Sequence, residues 1–214
     1  GSEMCIRDRL YEEGESLFRQ KAFAAAMPPL QAFIKQTDAE GAPVSAAGNK
    51  EEAEYMLVCA EYELRNPNSI ELLREYLDAY PDTPHANRIC ALIASAYFFE
   101  GKYDDALAMF NSSRLDLLSN EERDDMTYRL ATCYLKTGNV KEAAIWFETL
   151  RSTGSRYTAD CTYYLAYIRY SQQRYDDALS GFLSLQDNAK YEALVPYYIA
   201  EIYLIKKNLS LIHI

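Results

Sequence analysis

The chain has 214 residues, 49% of them hydrophobic and 25% charged, a composition that excludes disordered and fibrous proteins. No apolar run approaches the roughly 20 residues needed to cross a bilayer, so no membrane span is expected. A net charge of −10, with acidic residues spread along the whole length, argues against nucleic acid as a partner, because phosphate backbones are gripped by clustered Lys and Arg.

The two ends stand apart from the rest. Gly1-Ser2 resembles the remnant of a cleaved tag, and Met4-Cys5-Ile6-Arg7-Asp8-Arg9 is what the DNA string ATG TGT ATA AGA GAC AG encodes. Leu209-Ser210-Leu211-Ile212-His213-Ile214 is encoded by CTG TCT CTT ATA CAC ATC, the reverse complement of the first string over their shared length. The pair resembles the mosaic-end adapter of transposase-built sequencing libraries. Residues 1–9 and 209–214 are therefore expected to be foreign, and residues 10–208 to be an excerpt of a longer bacterial gene from an assembled metagenome. On that expectation the missing leader carries no information, and both the bacterial cytoplasm and the periplasm stay open.

Between these ends a helix, a short turn and a second helix recur. The first copy, residues 10–36, is marked by Gly14, Phe23, Ala26 and Leu30, with Pro28-Pro29 expected to shorten or kink its second helix. From Thr37 to Lys50 the chain is rich in small residues, including Gly41, Pro43 and Gly48, and reads as a loop. A degenerate second copy spans 51–81, with Tyr55, Val58, Tyr62, Leu73 and a closing Tyr80-Pro81. The third, 85–118, reads Ile93-Ala94, Tyr97, Gly101, Asp104-Asp105-Ala106 and Phe110. The fourth, 121–152, repeats this as Leu130-Ala131, Tyr134, Gly138, Glu142-Ala143 and Phe147. In the fifth, 157–188, come Leu165-Ala166, Gln173, Asp176-Asp177-Ala178 and Phe182, with Arg169 where the others carry Tyr. A half-copy, 191–208, offers Ile199-Ala200 and Tyr203 and then stops.

With alanines at 106, 143 and 178 spaced 37 and 35 residues apart, the unit resembles the tetratricopeptide repeat, which runs over about 34 residues. The resemblance implies an all-α fold, a right-handed α-solenoid of about five helix hairpins plus one extra helix. Each marked residue has a physical task. Gly14, Ala94, Ala131, Ala166 and Ala200 in first helices, and Ala26, Ala106, Ala143 and Ala178 in second helices, let helices approach closely, while Phe110, Phe147 and Phe182 fill the space between hairpins. Gly101 and Gly138 are expected to end first helices at positive φ. The acidic pairs Asp104-Asp105 and Asp176-Asp177 are expected to cap second helices rather than bind metal.

No catalytic, cofactor-binding or metal-ligating residue is assigned, and an enzyme is not expected. Cys59, Cys90, Cys133 and Cys161 lie within helical stretches and form no CxxC pair, so buried free thiols are expected. His85, in Pro84-His85-Ala86-Asn87, reads as a surface residue entering a helix, without convergent partners.

The function implied by the resemblance is that of a protein–protein interaction scaffold, which in this family binds through a concave face lined by first helices. Projecting those positions onto this chain selects Phe98 and Phe99 in the third copy, Tyr128 and Arg129 in the fourth, Tyr163, Tyr164, Tyr167 and Tyr170 in the fifth, and Tyr197 and Tyr198 in the sixth. Tyrosine combines large contact area with few torsions and an adaptable hydroxyl, so a groove for a peptide or protein partner is expected, alongside packing as the alternative for individual rings. Only Arg88 and Arg129 are candidates for a clamp on a C-terminal carboxylate, which disfavours that mode. Alternative readings are a structural spacer of the bacterial cell envelope, or the interaction module of a larger regulatory protein or enzyme. The apolar sixth helix, lacking its mate, is expected to be covered by Leu209, Leu211 and Ile212 folding back or by pairing of two chains.

Overall fold

The structure, a computed structural model, describes residues 2–39 and 46–212, and among these the regular structure is entirely helical. Helices α1 (Ser2–Arg19), α2 (Phe23–Asp38), α3 (Ala46–Glu63), α4 (Ser69–Ala79), α5 (Ala86–Phe99) and α6 (Tyr103–Asn111) make three hairpins in one compact unit, Gly1–Arg114. A 3-10 turn at Leu115–Leu117 begins a second unit, Leu115–Ile214, built from α7 (Asn120–Lys136), α8 (Val140–Ser152), α9 (Thr158–Ser171), α10 (Tyr175–Ser184) and α11 (Val195–Ile212).

One turn closes all five hairpins. The amide of Gly101 donates to the carbonyl of Phe98 at 3.0 Å and the next amide, Lys102, reaches back to Tyr97 at 2.9 Å. Gly138 and Asn139 repeat the pair on Leu135 and Tyr134, and Gln173 and Arg174 repeat it on Tyr170 and Arg169. This crossed pair satisfies carbonyls that a helix end leaves without partners, and it needs a residue with positive φ at the hinge. Glycine fills that place at Gly101 and Gly138, with φ of 74° and 82°, but Lys21, Arg65 and Gln173 adopt it at 59°, 59° and 61°. The turn therefore survives without glycine, at a conformational cost to each substituted hairpin.

The acidic pairs act differently from the expectation. Asp104-Asp105 and Asp176-Asp177 lie inside the first turns of α6 and α10, whose N-cap residues are Lys102 and Arg174, with no side-chain cap bond. Their carboxylates favour the positive helix end through the dipole. A capping bond forms instead at α7, where Ser119 Oγ accepts from the Glu122 amide at 3.4 Å and donates to the Glu122 carboxylate at 3.0 Å.

Small residues set the helix spacing. Ala26, Ala94, Ala106, Ala131, Ala143, Ala166 and Ala178 are wholly buried. A Cβ on Gly14 would lie 2.6 Å from Leu30 Cγ. In the second unit one core cluster joins Ala143, Phe147 and Leu150 to Cys161, Leu165 and Ile168 of the next hairpin. Another joins Ala178, Phe182 and Leu185 to Tyr191, Val195 and Ile202. Both cores thus lie between consecutive hairpins, which is why a single hairpin cannot bury its apolar face alone.

Several sequence expectations change. Pro28 and Pro29 sit inside an unbroken α2. The carbonyls they leave unserved, those of Ala24 and Ala25, belong to exposed residues that water can reach. The loop expected from Thr37 to Lys50 is shorter, because α2 continues to Asp38 and α3 starts at Ala46. Thr37 bonds back to the Phe33 carbonyl at 2.9 Å, and Lys50 pairs with Asp38 at 2.6 Å; residues 40–45 lie outside the described residues. Cys59, Cys133 and Cys161 are buried free thiols, whereas Cys90 is only half-buried; burial pushes Cys133 and Cys161 up to about 12. α9, which carries Arg169, packs against both α8 and α10. Ala200, unlike its equivalents, is exposed. The stretch Leu209–Ile212 does not fold back: it prolongs α11, with Leu209, Leu211 and Ile212 exposed.

Candidate partner-docking surface

The tyrosines projected onto the groove divide into two packing registers and a remainder. The first register joins a first helix to a ring just ahead of the next first helix of the same unit. In the second unit Tyr128 stacks on Tyr157 with ring centroids 4.4 Å apart, and Tyr163 stacks on Tyr191 at 4.7 Å. In the first unit the same role falls to Tyr55 and His85, stacked at 3.6 Å with their planes 7° apart.

A carboxylate three residues before each stacked tyrosine completes the joint. Tyr157 donates its hydroxyl to Asp125 at 3.0 Å, Tyr191 donates to the buried Asp160, and His85 Nε2 meets Glu52 Oε1 at 2.6 Å. A base accompanies each one: Arg156 on Asp125, Lys190 on Asp160, and Arg88 on the Tyr55 hydroxyl. Burial, and then the bond to Asp160, hold the Tyr191 phenol far above the ordinary tyrosine range; burial chiefly does the same to Tyr128 and Tyr163. His85 is thus a half-buried member of an inter-hairpin joint rather than plain surface, because Tyr55 offers its face and Glu52 its carboxylate.

The second register sets a first-helix tyrosine on the phenylalanine of the preceding hairpin. Tyr164 stacks on Phe147 at 5.0 Å and Tyr198 on Phe182 at 4.7 Å. Tyr128, Tyr163, Tyr164 and Tyr198 therefore spend most of their ring surface on packing.

Tyr167 and Tyr197 are left as the accessible members, 39% and 75% exposed. Tyr167 stands on α9 with its ring edge-on to Tyr198 at 6.2 Å, and Tyr170 lies edge-on to Tyr198 at 5.3 Å. A hydrogen bond to Glu201, with burial adding, raises Tyr170 to about 12. Tyr163 and Tyr198 share a hydroxyl contact beneath them. Tyr167 thus borders a floor of interlocked rings on α9 and α11, and Tyr197 stands exposed on α11 one residue before Tyr198.

In the first unit, Phe98 packs edge-on against Phe99 and Tyr103 at 5.5 and 6.0 Å, while the Arg65 guanidinium covers Phe99 at 3.7 Å. Arg88 is committed to Tyr55, and half-buried Arg129 directs Nη1 to Met126 Sδ at 3.6 Å. Among the described residues no cluster of three or more His, Cys, Asp or Glu side chains could hold a metal ion, and no helix is long and apolar enough to cross a membrane.

Sequence reasoning missed Tyr157, Tyr191, Asp125, Asp160, Glu52 and His85. A signal was present: an acid three residues ahead of a tyrosine, answered by a polar ring 33, 32 or 31 residues after the acid.

Residues 91–156 match the model of the tetratricopeptide repeat. Among solved structures, MamA of AMB-1 aligns with a TM-score of 0.62 and 18% identity, covering 86% of this chain and 92% of its own. PilF of Pseudomonas aeruginosa aligns with a TM-score of 0.58 and 16% identity, covering 98% of this chain and 94% of its own. At such identities the likeness is one of fold. The search of curated proteins finds no match in sequence.

Proposed function

We propose that this chain, in which residues 91–156 match the tetratricopeptide repeat, holds a partner protein, through an extended segment, against the aromatic face of α9 and α11. Repeats of this kind serve generally as protein–protein interaction scaffolds. The observation that supports the finer reading is exposed Tyr167 set edge-on to a floor of rings already locked by stacking, with exposed Tyr197 one residue before Tyr198 on α11. A floor whose side chains are ordered before binding loses little conformational entropy when a partner arrives, and tyrosine edges supply both apolar area and hydroxyl donors.

The packing role of Tyr163 and Tyr198 dictates the test. Replacing them would damage the hairpin interface as well as any docking site, so the informative variant is Tyr167→Ser with Tyr197→Ser. Random peptides displayed on phage are selected on the intact chain and then measured individually by fluorescence anisotropy. The reading predicts peptides whose affinity falls at least about tenfold in the double variant, the loss of roughly 1.4 kcal/mol, while helicity is unchanged. Selected peptides that bind the variant as well as the parent would overturn it, as would a selection that enriches nothing.

A further inference from the structure

A second site is carried by a departure from the repeat pattern. In the third hairpin, Tyr97 of α5 lies against the preceding second helix and accepts a hydrogen bond from Arg74 of α4 at 3.0 Å. Arg169 of α9 occupies the place equivalent to Tyr97, and Glu148 of α8 the place equivalent to Arg74. No ring fills the space here, and a cleft of about 570 Å³ runs between α8 and α9.

The floor of the cleft is apolar: Ala144 with the buried Leu165 and Ile168. On one wall stands Ile145, 57% exposed although it is a large aliphatic residue on the outside of a helix. Arg169, Gln172 and Arg174 form the other side.

The charges are arranged unevenly. Arg174 is engaged twice with Asp177, at 3.0 and 2.6 Å, and Arg151 holds Glu148 Oε1 at 2.5 Å. Arg169 reaches Glu148 Oε2 only at 3.9 Å, beyond hydrogen-bond distance, with its side chain largely shielded from water. A guanidinium is built to grip a carboxylate with two parallel N–H donors. Here it stands at the edge of an apolar cleft with that capacity unspent.

We propose that this cleft binds a second protein segment, one in which an acidic side chain lies beside aliphatic ones: the carboxylate pairs with Arg169 and the aliphatic side chains cover Ile145, Leu165 and Ile168. The volume falls within the usual range of ligand clefts, roughly 300–1,000 Å³. By helical spacing Leu165, Ile168, Arg169 and Gln172 lie on the side of α9 opposite Tyr163, Tyr167 and Tyr170. The site is therefore separate from the aromatic face, and either can exist without the other. Because Glu148 competes for the same guanidinium, it sets the affinity: removing its charge favours the incoming carboxylate.

The test uses capped synthetic peptides of Leu and Ala carrying a single central Glu, with the same peptide carrying Gln as control. Each is titrated into the intact chain with isotope-labelled isoleucine methyls. The Glu peptide is expected to shift the signals of Ile145 and Ile168 and to bind about tenfold more tightly than the Gln peptide, the scale of a hydrogen bond to a charged group. Arg169→Gln removes that preference, Glu148→Gln strengthens binding of the Glu peptide, and Arg169→Tyr, which restores the ring of the repeat pattern, fills the cleft and abolishes binding while the chain stays folded. Tyr167→Ser with Tyr197→Ser leaves these results unchanged, so failure here and failure of the aromatic face are distinguishable. Equal affinity for the Glu and Gln peptides, a preference that survives Arg169→Gln, or no shift at Ile145 and Ile168 would each refute the proposal.

Discussion

Exchanging residues at the hairpin hinges should move stability in opposite directions at positions that share one backbone geometry. Gly138 has φ of 82° and a Cβ added there meets nothing within 4 Å, so Gly138→Ala adds conformational strain without a clash. An L-residue in the left-handed region costs about 1–2 kcal/mol, of which about 0.4–1 kcal/mol is offset because alanine restricts the unfolded chain more than glycine does. The expected net loss is about 0.5–1 kcal/mol. Gln173 occupies the equivalent hinge at 61°, so Gln173→Gly should gain a similar amount by the reverse argument. Both residues lie in the second unit, as does Trp146, the single tryptophan, which is half-buried against the core of that unit. Urea titration followed by its fluorescence therefore reports on the unit under test. In a domain of about 100 residues, 1 kcal/mol moves the melting temperature by about 4–8 °C, so thermal unfolding resolves the two variants. A Gly138→Ala chain as stable as the parent, or a destabilised Gln173→Gly chain, would refute the assignment of strain to these hinges.

The joint between Asp160 and Tyr191 should behave as a unit: Asp160→Asn and Tyr191→Phe each lose about 1–3 kcal/mol, and the double variant loses clearly less than their sum. Additive losses in urea titrations would show that the bond between them contributes nothing. A Cβ on Gly181 would lie 2.8 Å from Ala166 Cβ, so Gly181→Ala should destabilise by about 1 kcal/mol despite the better helix propensity of alanine, and Ala166→Gly should restore the loss; a rise in melting temperature on Gly181→Ala alone would contradict this. The folded state keeps protons on Tyr170, raised to about 12 chiefly by Glu201, and on Tyr191, raised further by burial. Their contribution to stability is thus complete below the ordinary phenol range near pH 10 and fades as pH rises through the folded values, so Trp146 fluorescence should show the urea midpoint falling above about pH 10; a midpoint flat to pH 12 would be inconsistent. Finally, exposed Leu204 and Leu211 beside Ala200 on α11 favour pairing of two copies. Light scattering after size exclusion should show a concentration-dependent dimer that Leu204→Glu with Leu211→Glu abolishes; a monomer at every concentration would dismiss pairing.

The tyrosines illustrate where reading from sequence stops. Helical spacing correctly groups Tyr163, Tyr167 and Tyr170 on one side of α9, because neighbours along a helix surface recur every three or four residues. Spacing cannot say that Tyr163 is covered by Tyr191 while Tyr167 remains open, since Tyr191 approaches from the start of the next first helix. That encounter depends on how the intervening hairpin is turned and packed. His85 was misread for the same reason: its neighbours in sequence supply no partner, and Glu52 and Tyr55 arrive from the preceding hairpin.

What the sequence alone determined is the hairpin: a recurring pair of helices joined by a short turn, close approaches from alanines at matched positions, and turns where glycine recurs at the hinge. These are local properties, encoded within a few residues of where they act. The tertiary structure alone decided which rings became packing and which stayed accessible, and that Arg169 borders a cleft where Tyr97 meets Arg74. Those outcomes are contacts between hairpins, and such a contact exists only after two stretches about 30 residues apart have been brought to the same place.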